Sequence, residues 1–215
     1  DEAIAAGIGA ASRRALTFGI LFSDLDLDGR LDLVAANGHL EGAIALVDPS
    51  QTYLQSAQLF WNAGPETRQT FALLPATAIG DLAGPIAGRG IATADLDGDG
   101  DSDLVLTQIG GPPLVLRNDQ ATGHHWLKVR LADPQGNRLG IGAVVELKAG
   151  GKTQRRTVTA TRGYLSQSET VATFGLGDAT GVEGISVRWP DGALQEVEAS
   201  RLSVVDTTVV VERVR

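Results

Sequence analysis

Aspartates recur at fixed offsets in two places. Residues 24–32 read DLDLDGRLD and residues 95–103 read DLDGDGDSD. Counting the first aspartate as position 1, each stretch has carboxylates at 1, 3, 5 and 9 and a glycine at 6. These are Asp24, Asp26, Asp28, Gly29 and Asp32, then Asp95, Asp97, Asp99, Gly100 and Asp103. Carboxylates packed this densely repel one another unless a hard cation lies between them, and calcium takes roughly six to eight oxygens at about 2.3–2.6 Å. Side chains at 1, 3 and 5 converge on one point only if the backbone wraps tightly, which the glycine permits. The carbonyl of position 7, Arg30 or Asp101, is expected to add an oxygen. An EF-hand would close its cage with a glutamate at position 12, but here that position is Ala35 or Leu106. The closing ligand is therefore expected at position 9. One such run alone reads equally well as an acidic surface turn; duplication in matched surroundings favours two calcium sites.

The charge balance isolates the same feature. The chain of 215 residues has 26 Asp and Glu against 18 Lys and Arg, for a net charge of -8. With Asp101, the two loops hold nine of those acids, which leaves 17 against 18 elsewhere. The acidity is thus local, and two calcium ions would bring the net charge to about -4. No basic patch interleaved with aromatics occurs, which argues against nucleic acid as a partner. No cysteine is present, so disulfide and thiol chemistry are excluded. Methionine is also absent, even at position 1, which points to a processed product or an excerpt of a longer chain. No apolar run approaches the ~20 residues that span a bilayer, so no transmembrane segment is expected. Calcium loops of this kind suit an extracellular or periplasmic setting.

The elements that must position the loops repeat as well. Residues 17–37, TFGILFSDLDLDGRLDLVAAN, align without a gap with residues 88–108, GRGIATADLDGDGDSDLVLTQ. In each copy a short alternating strand enters the loop and a second leaves it, which predicts a β-hairpin whose turn is the metal loop. A third strand is expected at 57–62 and 113–119, and a fourth at 70–75 and, for the second copy, at 125–131. Repeated short sheets of this kind suggest propeller blades. An insertion near residues 38–56 separates the copies, and residues 1–15 have room for one short helix. From about residue 125 the pattern becomes that of an antiparallel sandwich, with strands expected at 143–148, 155–160, 170–176, 184–189 and 203–214. Turn residues such as Gly150-Gly151 and Pro190-Asp191-Gly192 separate them. The fold class is therefore all-β, with blades over 1–122 and a sandwich over 123–215. Two blades leave sheet edges open, which calls for further blades upstream or for partner subunits. The junction Asp119 to His124 is short and lacks a flexible linker, so Trp126 is expected to anchor the two parts rigidly, and its loss to loosen them without emptying either loop.

Other constellations read better as structure than as chemistry. Ser166 in GYLSQS lacks a Gly-x-Ser-x-Gly elbow. His39 follows Asn37-Gly38 and suits a turn. His124 and His125 are adjacent and would face opposite ways on a strand. Trp61, Trp126 and Trp189 lie in alternating strands, where core or junction packing is favoured over a sugar platform. The pairs Arg13-Arg14 and Arg155-Arg156 read as solvated faces. Gly7-Ile8-Gly9 lacks the strand and third glycine of a dinucleotide loop. No catalytic residue is expected.

With these residues in hand, the chain resembles a known family. The two loop-bearing copies look like FG-GAP/VCBS repeats. The segments HWLKVRL, NRLGIGAVVEL, GGKTQRRTV, GYLSQSETVATFGLGDA and VRWPDGALQEV together resemble the ASPIC/UnbV domain. The combination is similar to that of the cartilage acidic protein family, as are ANGHL at 36–40, QLFWNAG at 58–64 and GPPLVLRN ending at Asn118. Animal members carry a cysteine-rich EGF-like module, which this chain lacks, and a full propeller needs more than two blades. The resemblance implies the C-terminal part of a longer protein. Its implied role is a non-catalytic, calcium-binding extracytoplasmic module that contacts other subunits or cell-surface and matrix components. The alternatives are a structural subunit of a larger membrane-associated complex and a polysaccharide-binding, enzyme-associated propeller.

Overall fold

Alternation sets the first hairpin. In β1 (Thr17–Ser23), Leu21 and Ser23 turn inward while Ile20 and Phe22 stay half exposed. Its partner β2 (Asp32–Asn37) is buried along its whole length, because a strand flanks it on each edge. The chain runs on through β3 (Gln55–Ser56), which stands apart from this sheet, to β4 (Gln58–Asn62) and β5 (Phe71–Leu73). The result is an antiparallel meander in the order β1-β2-β4-β5. After two 3-10 turns the pattern restarts with β6 (Pro85–Ile86), β7 (Gly88–Ala94), β8 (Asp103–Gln108) and β9 (Leu114–Leu116). The second sheet is β7-β8-β9, and β3 pairs with β6 in a small ribbon between the two. The computed structural model describes residues 2–119, 121–197 and 204–214.

The duplication seen in the sequence is a duplication of register. Ser23 pairs with Asp32 in the first hairpin and Ala94 with Asp103 in the second, so each acidic stretch is the turn between equivalent rungs. The entering strands β1 and β7 lie against each other. Leu21, Val34, Ile91, Leu104 and Leu106 share one apolar cluster, which joins the two sheets. None of the sheets closes on itself among the described residues.

The C-terminal strands are β10 (His125–Ala132), β11 (Val144–Ala149), β12 (Lys152–Thr157), β13 (Ala172–Gly177), β14 (Gly184–Arg188), β15 (Leu194–Glu196) and β16 (Thr207–Glu212). They form two sheets, β13-β10-β16 and β12-β11-β14-β15. Their inward faces make a second, separate core containing Leu127, Val129, Val145, Leu147, Phe174, Ile185 and Trp189. The chain is thus all-β, as its alternation predicts.

Several expectations need correction. Residues 125–131 do not add a fourth strand to the second meander; β10 pairs with β13 and β16 instead, because Leu127, Val129 and Leu131 belong to the C-terminal core. The sandwich is not wholly antiparallel, since β10 and β16 run parallel. The strand β15 carries no apolar alternation and was not expected; a turn at Asp191-Gly192 folds it back on β14. The strand expected from residue 203 begins at Thr207, and Ser203 itself lies outside the described residues. The N-terminal helix is a single turn, α1 (Gly9–Ser12), and the insertion holds another, α2 (Ile44–Val47).

Candidate metal centres

Both acidic turns are built on the same set of hydrogen bonds. The position-6 amide donates to the position-1 carboxylate: Gly29 to Asp24 at 3.0 Å and Gly100 to Asp95 at 3.1 Å. The position-5 amide donates to position 3, and the position-7 amide donates to position 5. The position-9 carboxylate accepts from the position-2 amide on one oxygen, at 3.1 Å from Leu25 and 2.7 Å from Leu96. Its other oxygen accepts from the amide of an asparagine at the end of the sheet's third strand, Asn62 or Asn118, each at 2.8 Å. The glycines that let the chain turn have φ of +92° and +107°, a region that L side chains rarely occupy.

This scaffold draws the first three carboxylates together. One oxygen from each of Asp24, Asp26 and Asp28 lies within 4.8 Å of the others, and the same holds for Asp95, Asp97 and Asp99. Oxygens ligating one calcium ion at about 2.4 Å stand at most about 4.8 Å apart. These two clusters could each hold a metal ion. Asp32 and Asp103 are not in those groups; their oxygens already clasp backbone amides. Position 12 is within a strand in both copies, with Ala35 and Leu106 buried. At position 7, the Arg30 guanidinium turns back to pair with Asp28 and donates to the Asn62 carbonyl at 2.7 Å. Asp101 is buried instead.

Two oxygens in this region have no partner. Asp24 Oδ1 and Asp101 Oδ1 are buried without a hydrogen bond among the described residues. Burial drives the Asp24 carboxyl up to about 7, with Arg156 opposing and the neighbouring aspartates adding to the rise. Burial does the same to Asp32, to about 6, and to Asp101, to about 7, the latter reinforced by Asp99. A buried carboxylate held away from its usual range, with an unpartnered oxygen and two further carboxylates close by, fits a divalent cation.

The C-terminal half rests on both turns. Lys128 on β10 pairs with Asp95, and Arg156 on β12 approaches Asp24 at 3.8 Å. The Gly175 amide donates to Asp24 at 3.1 Å and the Gly177 amide to the Leu27 carbonyl at 2.9 Å. A side chain at Gly175 would collide with the Leu27 backbone, so β13 can lie this close only as glycine. The His124 Nδ1–H donates to the Asp26 carbonyl at 2.6 Å. Trp126 covers Gly100, where an added Cβ would fall inside the indole. The first loop has its own indole: Trp61 Nε1 donates to Asp26 at 2.8 Å. Trp189 alone of the three is in a core. The roles of the tryptophan indoles and of Lys128, Arg156 and Gly175 at these loops have no local sequence signature, because all are brought in across sheets.

The residues set aside as structural behave so. His39 accepts from the Glu41 amide in a turn, and the Ser166 hydroxyl donates to the Tyr164 carbonyl. His125 pairs with Asp206, away from His124. Arg155 is exposed, but Arg156 is not a solvated residue as the sequence suggests; it lies in the cleft between the halves.

Residues 24–106 match the FG-GAP-like repeat family, and residues 133–213 match the ASPIC and UnbV family. Cartilage acidic protein 1 of Mus musculus is 36% identical over 113 residues, covering 50% of this chain and 17% of that protein. The Homo sapiens protein of the same name is 36% identical over 113 residues, covering 50% of this chain and 16% of its own length. The Xenopus tropicalis protein is 34% identical over 111 residues, covering 50% and 17%. The chain spans only about a sixth of the length of these relatives.

Proposed function

We propose that this chain, which joins FG-GAP-like repeats to an ASPIC and UnbV region, is a non-catalytic calcium-binding module that works outside the cytoplasm. Residues 1–122 form two blade-like repeats of a propeller and residues 123–215 a docked sandwich. Each acidic loop holds one calcium ion through positions 1, 3 and 5, with the position-7 carbonyl and a position-9 oxygen completing the shell. The observation that carries this reading is the identical scaffold in both loops, which gathers three carboxylates and leaves Asp24 with an idle buried oxygen. The ion removes the repulsion that would otherwise open each turn, and its binding energy adds to the stability of the folded chain.

The module's task is contact with other proteins or with cell-surface and matrix components. Similarity to cartilage acidic protein 1 and the FG-GAP-like match support an adhesive role outside the cell. No helix among the described residues is long and apolar enough to cross a membrane.

Calorimetric titration of the chelated chain with calcium tests the metal reading, with two sites per chain expected. Asp97→Ala should remove one site and lower the thermal midpoint in calcium, with almost no effect in chelator. Equal losses with and without calcium, or a titration that shows no heat, would overturn it.

A further inference from the structure

A second site emerges where the sandwich meets the first sheet. There a cleft of about 400 Å³ opens between β1 and the loops of β12 and β13. Its walls carry Arg156 and Arg162. Each faces one acid, Asp24 beside Arg156 and Glu169 beside Arg162. Arg156 donates to the Arg155 carbonyl and to Gln154, and stands 3.8 Å from Asp24. Arg162 donates only through Nε, to the Thr159 carbonyl at 3.2 Å, so its terminal nitrogens have no hydrogen-bond partner among the described residues.

The acids nearby are already engaged. Asp24 accepts from the amides of Gly29 and Gly175, and Glu169 is shared among Arg162, Lys128 and the Asp95 amide. Arg162 is held in place rather than swinging in solvent: Thr161 bridges to Gln167, and the Arg162 amide donates to the Ser166 carbonyl at 3.3 Å. Beside the guanidinium pair, Ile20 and Phe22 of β1 present half-exposed apolar surface.

The geometry points to a binding site for a small carboxylate carried on an apolar or ring-shaped body, with Arg156 and Arg162 gripping the carboxylate and Ile20 and Phe22 supporting the body. Planar guanidinium groups match a carboxylate through paired N–H donors, and in a half-buried cleft such contacts are stronger than in open water. The volume lies in the range of small-ligand pockets. The site needs no metal in the acidic loops.

Titration of the full chain with benzoate in excess chelator, followed by amide chemical shifts, tests this, with benzyl alcohol as the uncharged control. Saturable benzoate binding is expected, with shifts at Arg162, Thr173 and Phe22, and none with benzyl alcohol. Arg162→Gln should weaken benzoate binding about tenfold or more, since a charge-assisted contact is lost. Arg188→Gln, which removes an exposed arginine at the end of β14 outside the cleft, should leave it unchanged. Because Arg162 lies on a loop, the variant's unliganded spectrum verifies that it is folded. Benzoate binding no better than benzyl alcohol, or equal binding by wild type and Arg162→Gln, would overturn the proposal.

Discussion

At the scale of single residues, the aspartates of one loop do different work. Asp97 faces the proposed ion, and its remaining contacts are an Asp99 amide at 3.4 Å and a 3.8 Å approach by Arg117. Asp26 also holds the Trp61 indole, so Asp26→Ala should cost some stability even in chelator, unlike Asp97→Ala. Asp24 supplies a pH signature. Its folded carboxyl titrates near 7, above the 3.8 of an unfolded aspartate, so the folded chain holds the extra proton between those values. The contribution of this group in chelator should therefore be full below about pH 4, fall between about pH 4 and 7 and level off above 7, by an amount on the order of a few kcal/mol at 1.36 per unit. Asp32 and Asp101 act in the same direction. Calcium favours the ionised form, so saturating metal should flatten that decline, and calcium affinity should drop as pH falls below 7. Thermal midpoints at pH 5 and 8, with and without calcium, check this; parallel pH profiles would count against metal at Asp24. Asp24→Asn should remove its own share of the slope in chelator and leave that of Asp32 and Asp101.

At the scale of elements, each loop is closed by its position-9 carboxylate, which ties the turn to the start of the loop and to the next strand but one. Asp32→Ala would leave the Leu25 and Asn62 amides without their acceptor. A cost of about 2–4 kcal/mol is expected in chelator, since buried donors lose their partner whether or not an ion is present, with a further loss in calcium because a position-9 oxygen also serves the ion. Chemical denaturation under both conditions reads it; a loss confined to calcium would make Asp32 a ligand alone. The hairpins themselves were legible because both signals are local: alternation in Phe18–Phe22 and Leu31–Leu33, and a period of aspartates with glycine at 6. The clasp by Asn62 and Asn118 was not legible, since it depends on a strand some 15–30 residues away. Nor was the parallel pairing of β10 with β16, because alternation gives a strand's faces and not its neighbours. Arg156 was misread for a related reason. Its neighbour Arg155 sits on the exposed face of β12, and the cleft that buries Arg156 exists only once the halves meet.

At the scale of the whole molecule, the metal loops are also the contact surface between the two cores. Asp24 and Asp95 each face a cation from the C-terminal half, and Leu27 and Asp26 accept hydrogen bonds from it. Loop shape and docking are then linked: whatever orders the turns presents the surface on which β10, β12 and β13 rest. Trp126 is the residue at which this can be tested, since it heads β10 and its indole covers Gly100 of the second loop. The sequence suggests that its removal loosens the halves and spares both ions; its seat on Gly100 sharpens that expectation. Trp126→Ala should weaken calcium binding at the second loop severalfold and leave the first, which Trp61 supports, unchanged. Small-angle scattering of the variant should show a broader distance distribution than wild type in chelator, with calcium narrowing it again. Wild-type curves that already fit freely reorienting halves in calcium would rule out the docked arrangement. An equal loss of affinity at both loops would show that Trp126 acts through the fold at large and not through its contact with Gly100.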